Sequence, residues 1–75
     1  MRLLGSIEPP AAQPITSEDI RAMREQANMS QAVFAHYLNV TVGYISQLER
    51  GAKRPTGAAL ALLNIIRRKG IEAIL

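Results

Sequence analysis

Residues 38–46 read LNVTVGYIS, and the apolar positions on either side keep helical spacing, Phe34 and Leu38 before, Ile45 and Leu48 after. No proline separates the two runs, and the one glycine between them, Gly43, falls after the expected turn rather than in it. After glycine, asparagine is among the residues most tolerant of positive φ, so Asn39 can close one helix in the left-handed conformation and reverse the chain. Val40 can then tuck into a core, and the Thr41 hydroxyl can cap a second helix. The stretch predicts two short helices meeting at a tight corner.

Reading outward, Ser30 is the N-cap of the helix before the corner, and Met29 with Phe34 has the spacing of a hydrophobic staple. That helix ends near Leu38. The helix after the corner continues to Arg50, where Gly51 stops it. Upstream, Thr16 with Asp19 three residues on forms a capping box, predicting a first helix over about 17–27 that buries Ile20, Met23 and Ala27, with Asn28 as a left-handed terminator. Downstream, GAKRPTG is a loop by composition, Thr56 is the predicted cap of a fourth helix running to about Lys69, and Gly70 is its terminator. The closing IEAIL predicts one further helical turn. Residues 5–14 hold three of the four prolines and no apolar period, so residues 1–15 are read as an extended leader and 16–75 as the folded domain. The fold class is all-α, four to five helices.

The totals agree with one small domain. Seventy-five residues allow a single core, and 48% hydrophobic residues suffice to pack it. There is no cysteine, which excludes disulfides and thiolate metal sites and makes the cytoplasm the expected compartment. No apolar run approaches a secretory signal or the ~18 residues of a membrane span, so no membrane partner is expected. One histidine, His36, cannot assemble a metal site alone. With no nucleophile and base pair, no phosphate loop and no paired acids in an apolar setting, no enzyme and no cofactor are expected.

The net charge of +3 is unevenly spread. Residues 1–49 carry Arg2, Arg21 and Arg24 against Glu8, Glu18, Asp19, Glu25 and Glu49, a balance of −2; residues 50–75 carry Arg50, Lys53, Arg54, Arg67, Arg68 and Lys69 against Glu72, a balance of +5. Positive charge begins where the second helix of the corner ends. On that helix Ile45 and Leu48 face inward, so Val42, Gly43, Ser46, Gln47 and Arg50 share the outer face. This face is small, polar and basic, and the helix's one carboxylate, Glu49, is predicted to point back toward the first helix. Such a surface suits the roughly 12 Å major groove of duplex DNA. Arg67, Arg68 and Lys69 fall in the last turn of the fourth helix, where they complement its dipole more readily than they grip phosphate.

The stretch MSQAVFAHYLNVTVGYISQLERGAKRP, residues 29–55, resembles the Cro/CI-type (XRE) helix-turn-helix family of bacterial and phage regulators, and the likeness extends over about residues 17–66. The resemblance implies a lambda-repressor-like fold whose second helix crosses the backbone of double-stranded DNA and whose third enters the major groove. It implies phosphate contacts at Gln31, Tyr44, Arg50, Lys53 and Arg54, base-facing positions at Thr41, Val42, Gly43, Ser46 and Gln47, and an ion pair of Arg24 with Glu49 between the first and third helices. Asn39 stands where the family usually has glycine. Val42 and Gly43 offer no side-chain hydrogen bond, so direct readout is expected to rest on Gln47 and Ser46, with DNA shape carrying a large share of specificity. Within the family the leader and the ending are most similar to HigA-type antitoxins, which repress their own operon and neutralise a ribonuclease toxin. The expected partners are therefore operator DNA, a second copy of the chain and a toxin protein. The alternatives are a small helical adaptor that uses the corner only for packing, and a stand-alone phage-type regulator without a toxin.

Dimerisation is read from the fourth helix. Leu60, Leu62, Leu63, Ile65 and Ile66 sweep an apolar arc of roughly 220°, wider than the ~100° stripe that covers one core. Leu62, Ile65, Ile66, Ile71, Ile74 and Leu75 are accordingly expected to form a twofold interface that sets two recognition helices about one DNA turn apart, ~34 Å. The competing expectation is that the tail folds back over its own core.

Overall fold

The computed structural model describes residues 14–75, and the predicted extended leader lies outside them except for its last two residues. Four α-helices follow in order, α1 (Ser17–Gln26), α2 (Gln31–Leu38), α3 (Val42–Glu49) and α4 (Gly57–Lys69), with a closing 3₁₀ turn over Ile71–Ile74. The fold is the all-α, lambda-repressor-like one expected.

Local chemistry starts the first three helices. The Thr16 hydroxyl accepts from the Asp19 N–H at 3.1 Å and the Asp19 carboxylate accepts from the Thr16 N–H at 3.0 Å, a complete capping box. Ser30 Oγ accepts from the Val33 N–H, and Thr41 Oγ1 from the Tyr44 N–H, each at 3.1 Å. α1 stops one residue short of the expected end, at Gln26, with Asn28 at φ 57° as the left-handed residue beyond it. Ala27, expected in the core, is only half-buried because it has become the cap rather than a helical position.

The corner is built as read. Asn39 takes φ 59° and ψ 45°, the Val40 N–H reaches back to the Ala35 carbonyl at 3.0 Å, and Val40 packs against the core. α2 and α3 thus lie against each other, α1 crosses α3, and α4 closes the far side. Phe34, Ile20, Ile45, Leu48 and Leu63 are the fully buried apolar centre.

Two expectations change, and two further residues make contacts that residue order did not announce. Ile15, assigned to the leader, is buried in the core at 9% exposure, so the folded unit starts before its first cap. Thr56 stands at the N-cap of α4 but makes no cap bond; Gly57 follows at φ 57°, and a left-handed first residue breaks the step into helical dihedrals that capping geometry needs. Asn64, unremarked in the sequence, is 1% exposed inside α4, donating to the Leu60 carbonyl at 3.1 Å and accepting from Arg67 Nη2 at 3.0 Å. Arg67 itself donates through Nη1 to the Pro14 carbonyl at 3.0 Å and lies 3.7 Å from Asp19 Oδ2. It clasps α4 to the start of the chain as well as sitting at a helix C-terminus.

The ending folds back: Ile71 and Ile74 pack partly against the core, and Ile66, assigned to a twofold interface, is 5% exposed within the chain's own core. Gly70 makes this reversal at φ 88° and ψ 167°, a region essentially reserved for glycine, and a Cβ there would meet Glu72 Oε1 at 2.7 Å. Leu62 and Ile65 remain half-buried and Leu75 exposed, which leaves an apolar strip narrower than the one expected.

Two substitutions test these turns by urea denaturation. Asn39→Ala is expected to lower stability by about 1–2 kcal/mol, the cost of a left-handed non-glycine residue, while Asn39→Gly changes it by less than about 0.5 kcal/mol. An equal loss in both would mean that the Asn39 side chain, not its backbone tolerance, holds the corner.

Candidate nucleic-acid interface

α3 is oriented by what it buries. Ile45, Leu48 and Glu49 face inward, while Val42, at 49% exposure, Gly43 and Arg50 are exposed and Ser46 and Gln47 half-buried. Thr41 is exposed at the head of the helix, its hydroxyl already accepting the cap bond. Lys53 and Arg54 are exposed in the turn that follows, and the N–H groups of Ala52 and Lys53 both donate to the Gln47 carbonyl, at 2.9 and 3.3 Å, folding that turn against the end of α3. Tyr44 is half-buried and packs against the core. The outer face therefore holds two side-chain hydrogen-bonding groups, one methyl-bearing residue and a flanking cluster of cations, with no carboxylate among them.

Gly43 is informative because the backbone does not require it. It lacks the positive φ of Gly51, Gly57 and Gly70, and a Cβ would come no nearer than 4.0 Å to Thr41 Oγ1. Glycine in a helix costs up to about 1 kcal/mol relative to alanine, so nothing in the isolated fold favours it here. Bare backbone at this position lets another surface approach α3 closely.

Glu49 fixes the helix from below. Its side chain is 1% exposed, and Arg24 grips it twice, through Nε at 2.6 Å to Oε2 and Nη2 at 3.1 Å to Oε1. Gln31 Nε2 donates to Oε1 at 3.1 Å, and Arg24 Nη1 donates to the Met29 carbonyl at 3.0 Å. Burial pushes the Glu49 carboxyl up, but the hydrogen bonds from Arg24 and Gln31 and the charges of Arg24 and Arg21 outweigh it and hold the group below its ordinary value of 4.5. The hydrogen bond to Glu49 raises Arg24 in turn. Hydrogen bonding from the Thr16 backbone likewise lowers Asp19.

The sequence anticipated the Arg24 and Glu49 pair but not the second role of Gln31, whose amide is spent in part on Glu49. The signal was present, since Gln31 opens α2 and Glu49 closes α3, and the corner brings those ends together. What the tight turn does not reveal is which of the two amide hydrogens points inward.

A family model described as Helix-turn-helix matches residues 20–64, which is most of the described chain and includes both helices of the corner. The chain belongs to the XRE-type helix-turn-helix family. This helix-turn-helix protein is also 37% identical over 54 residues to Antitoxin HigA-2 of Vibrio cholerae serotype O1 (strain ATCC 39315 / El Tor Inaba N16961), an alignment that covers 72% of this chain and 52% of that protein. It spans about half the length of that relative. Membership makes the chain a DNA-binding helix-turn-helix regulator. Among the described residues no helix is long and apolar enough to cross a membrane.

The buried cluster generates a stability prediction. Arg24→Met strands a carboxylate that is 1% exposed and is expected to cost about 3–5 kcal/mol. Glu49→Gln costs less, about 2 kcal/mol, because Arg24 is 16% exposed and can turn outward. With its folded value depressed, Glu49 contributes stability that is full above about pH 4.5 and is lost as pH falls through the lower folded value. Acid unfolding followed by circular dichroism should therefore show a shallower decline in Glu49→Gln than in the parent chain. Parallel declines would mean the carboxylate does not titrate with folding.

Proposed function

We propose that this protein is a sequence-specific transcriptional repressor that binds its operator as a homodimer and serves as the antitoxin of a toxin–antitoxin pair, regulating its own operon in the cytoplasm. The observation that carries the DNA-reading part is the sidedness of α3: Ile45, Leu48 and Glu49 are spent on the core, leaving Val42, Gly43, Ser46 and Gln47 to meet base edges. Gln47 and Ser46 supply hydrogen bonds, Val42 a contact for a thymine methyl, and Gly43 the close approach. Arg50, Lys53 and Arg54, with Gln31 and Tyr44, are the assigned phosphate contacts that set the register.

Support for the antitoxin role comes from the Vibrio relative, whose name makes it an antitoxin. Support for dimerisation comes from the end of the chain, where Leu62 and Ile65 stay half-buried and Leu75 is 65% exposed; Ile71 and Ile74 are partly buried against the core, and Ile66 lies within it. A twofold contact there would give the paired recognition helices the half-site spacing of the family.

Fluorescence anisotropy with duplex DNA from upstream of the chain's own gene, against an unrelated duplex at the same salt, tests the reading. Gln47→Ala is expected to lower the preference for the operator by about 1–3 kcal/mol and leave binding to the unrelated duplex nearly unchanged. Unaltered preference would remove Gln47 as a reader. Gly43→Ala is expected to raise stability by about 0.5 kcal/mol while weakening operator binding. If the alanine variant binds as well as the parent, close approach at this position is wrong. For the partner, co-expression with the product of the neighbouring reading frame should relieve that product's growth arrest and yield a stable complex. Failure of both would confine the protein to stand-alone regulation.

A further inference from the structure

Beyond its charge near Glu49, Arg21 has no part in the contacts assigned so far. Its Nε lies 3.6 Å from Glu49 Oε1, beyond hydrogen-bonding length, and its side chain is 55% exposed. The same oxygen accepts from Arg24 Nη2 and from Gln31 Nε2, each at 3.1 Å. Arg24 alone matches the charge of Glu49 with two charge-assisted bonds, so the group of Arg21, Arg24 and Glu49 retains one unit of positive charge. That surplus sits on Arg21, the member at the surface. Glu18 and Glu25, one turn away on either side along α1, line the same shallow groove, yet among the described residues no ion pair joins either of them to Arg21.

We infer that Arg21 is a DNA backbone contact, forming with Gln31 one phosphate seat on the flank of α1. The inference rests on the DNA-binding reading above. Arg21 Nε and Gln31 Nε2 both approach a single buried oxygen within 3.6 Å, which makes the two nitrogens neighbours across Glu49. The Gln31 amide keeps a second N–H beyond the one given to Glu49. A phosphate oxygen accepting that N–H lies within reach of a guanidinium whose planar fork matches phosphate geometry. Glu49, buried and already paired with Arg24, holds Gln31 in place. The seat is blind to sequence and adds Arg21 to the proposed backbone contacts.

Arg21→Gln in the full chain tests this. The slope of log K against log salt is expected to become less negative by about 0.9, the release of one phosphate's counterion, with binding weakened about three- to tenfold near 0.1 M salt, equally on operator and on unrelated duplex. Arg21→Lys should recover most of the slope. The urea midpoint should stay within error of the parent, since an exposed side chain 3.6 Å from its partner contributes little to folding. A slope identical to that of the parent would overturn the inference and leave Arg21 as a screen for Glu49. If the parent chain itself binds no duplex at any salt, the functional reading fails as well; salt-dependent binding by the parent with an unchanged Arg21→Gln slope removes Arg21 alone.

Discussion

A single buried carboxylate organises this domain. Glu49 ends the recognition helix, and its two oxygens take hydrogen bonds from α1 through Arg24 and from the start of α2 through Gln31, while Arg24 also ties down the Met29 carbonyl in the loop between those helices. Three elements and one loop therefore converge on a group with almost no access to water. A charge in that position is unfavourable unless every lone pair is occupied, which makes the arrangement nearly all-or-none. In a core of eleven buried hydrophobic residues, that directional constraint complements the apolar contacts, which are strong but not specific about helix rotation. The rotation of α3 about its own axis decides whether Gln47 faces outward or into the core.

The same cluster connects stability to binding. Gln31 belongs at once to the buried network and to the proposed phosphate contacts, so the side chain proposed to grip the DNA backbone is oriented by the group that anchors α3. Reading and gripping are then held in one rigid frame, as recognition by short side chains requires. At the opposite end of the molecule, Arg67 and Asn64 form a second polar clasp, joining α4 to Pro14 and Asp19. The residue that leads into the domain and the helix that carries the apolar strip are thereby fastened together.

Much of this was legible from residue order because its causes are local. Capping by Thr16, Ser30 and Thr41 depends on atoms three residues away, and the left-handed positions at Asn28 and Asn39 depend on side chains that tolerate positive φ. The outer face of α3 followed from helical periodicity once Ile45 and Leu48 were recognised as inward. The expectations that failed were those with distant causes. Ile15 looked like leader because its neighbours are prolines, but α1 and α4 offered it a place in the core. Ile66 looked like interface because the apolar arc of α4 is wide, but the 3₁₀ turn beyond Gly70 folds back on it and the core claims it. Thr56 failed as a cap because Gly57 chose a conformation that no pattern of polar residues announces.

The chain's order of residues thus determined the number of helices, their ends, the corner at Asn39 and which side of α3 meets solvent, since each is governed by interactions within one or two helical turns. Only the tertiary structure decided that Gln31 shares a carboxylate with Arg24, that Asn64 is buried on Arg67, and that Arg21 approaches the same carboxylate from the surface. Those pairings join residues whose nearness depends on how helices cross, and crossing is set by the packing of whole surfaces against one another, which no local spacing encodes.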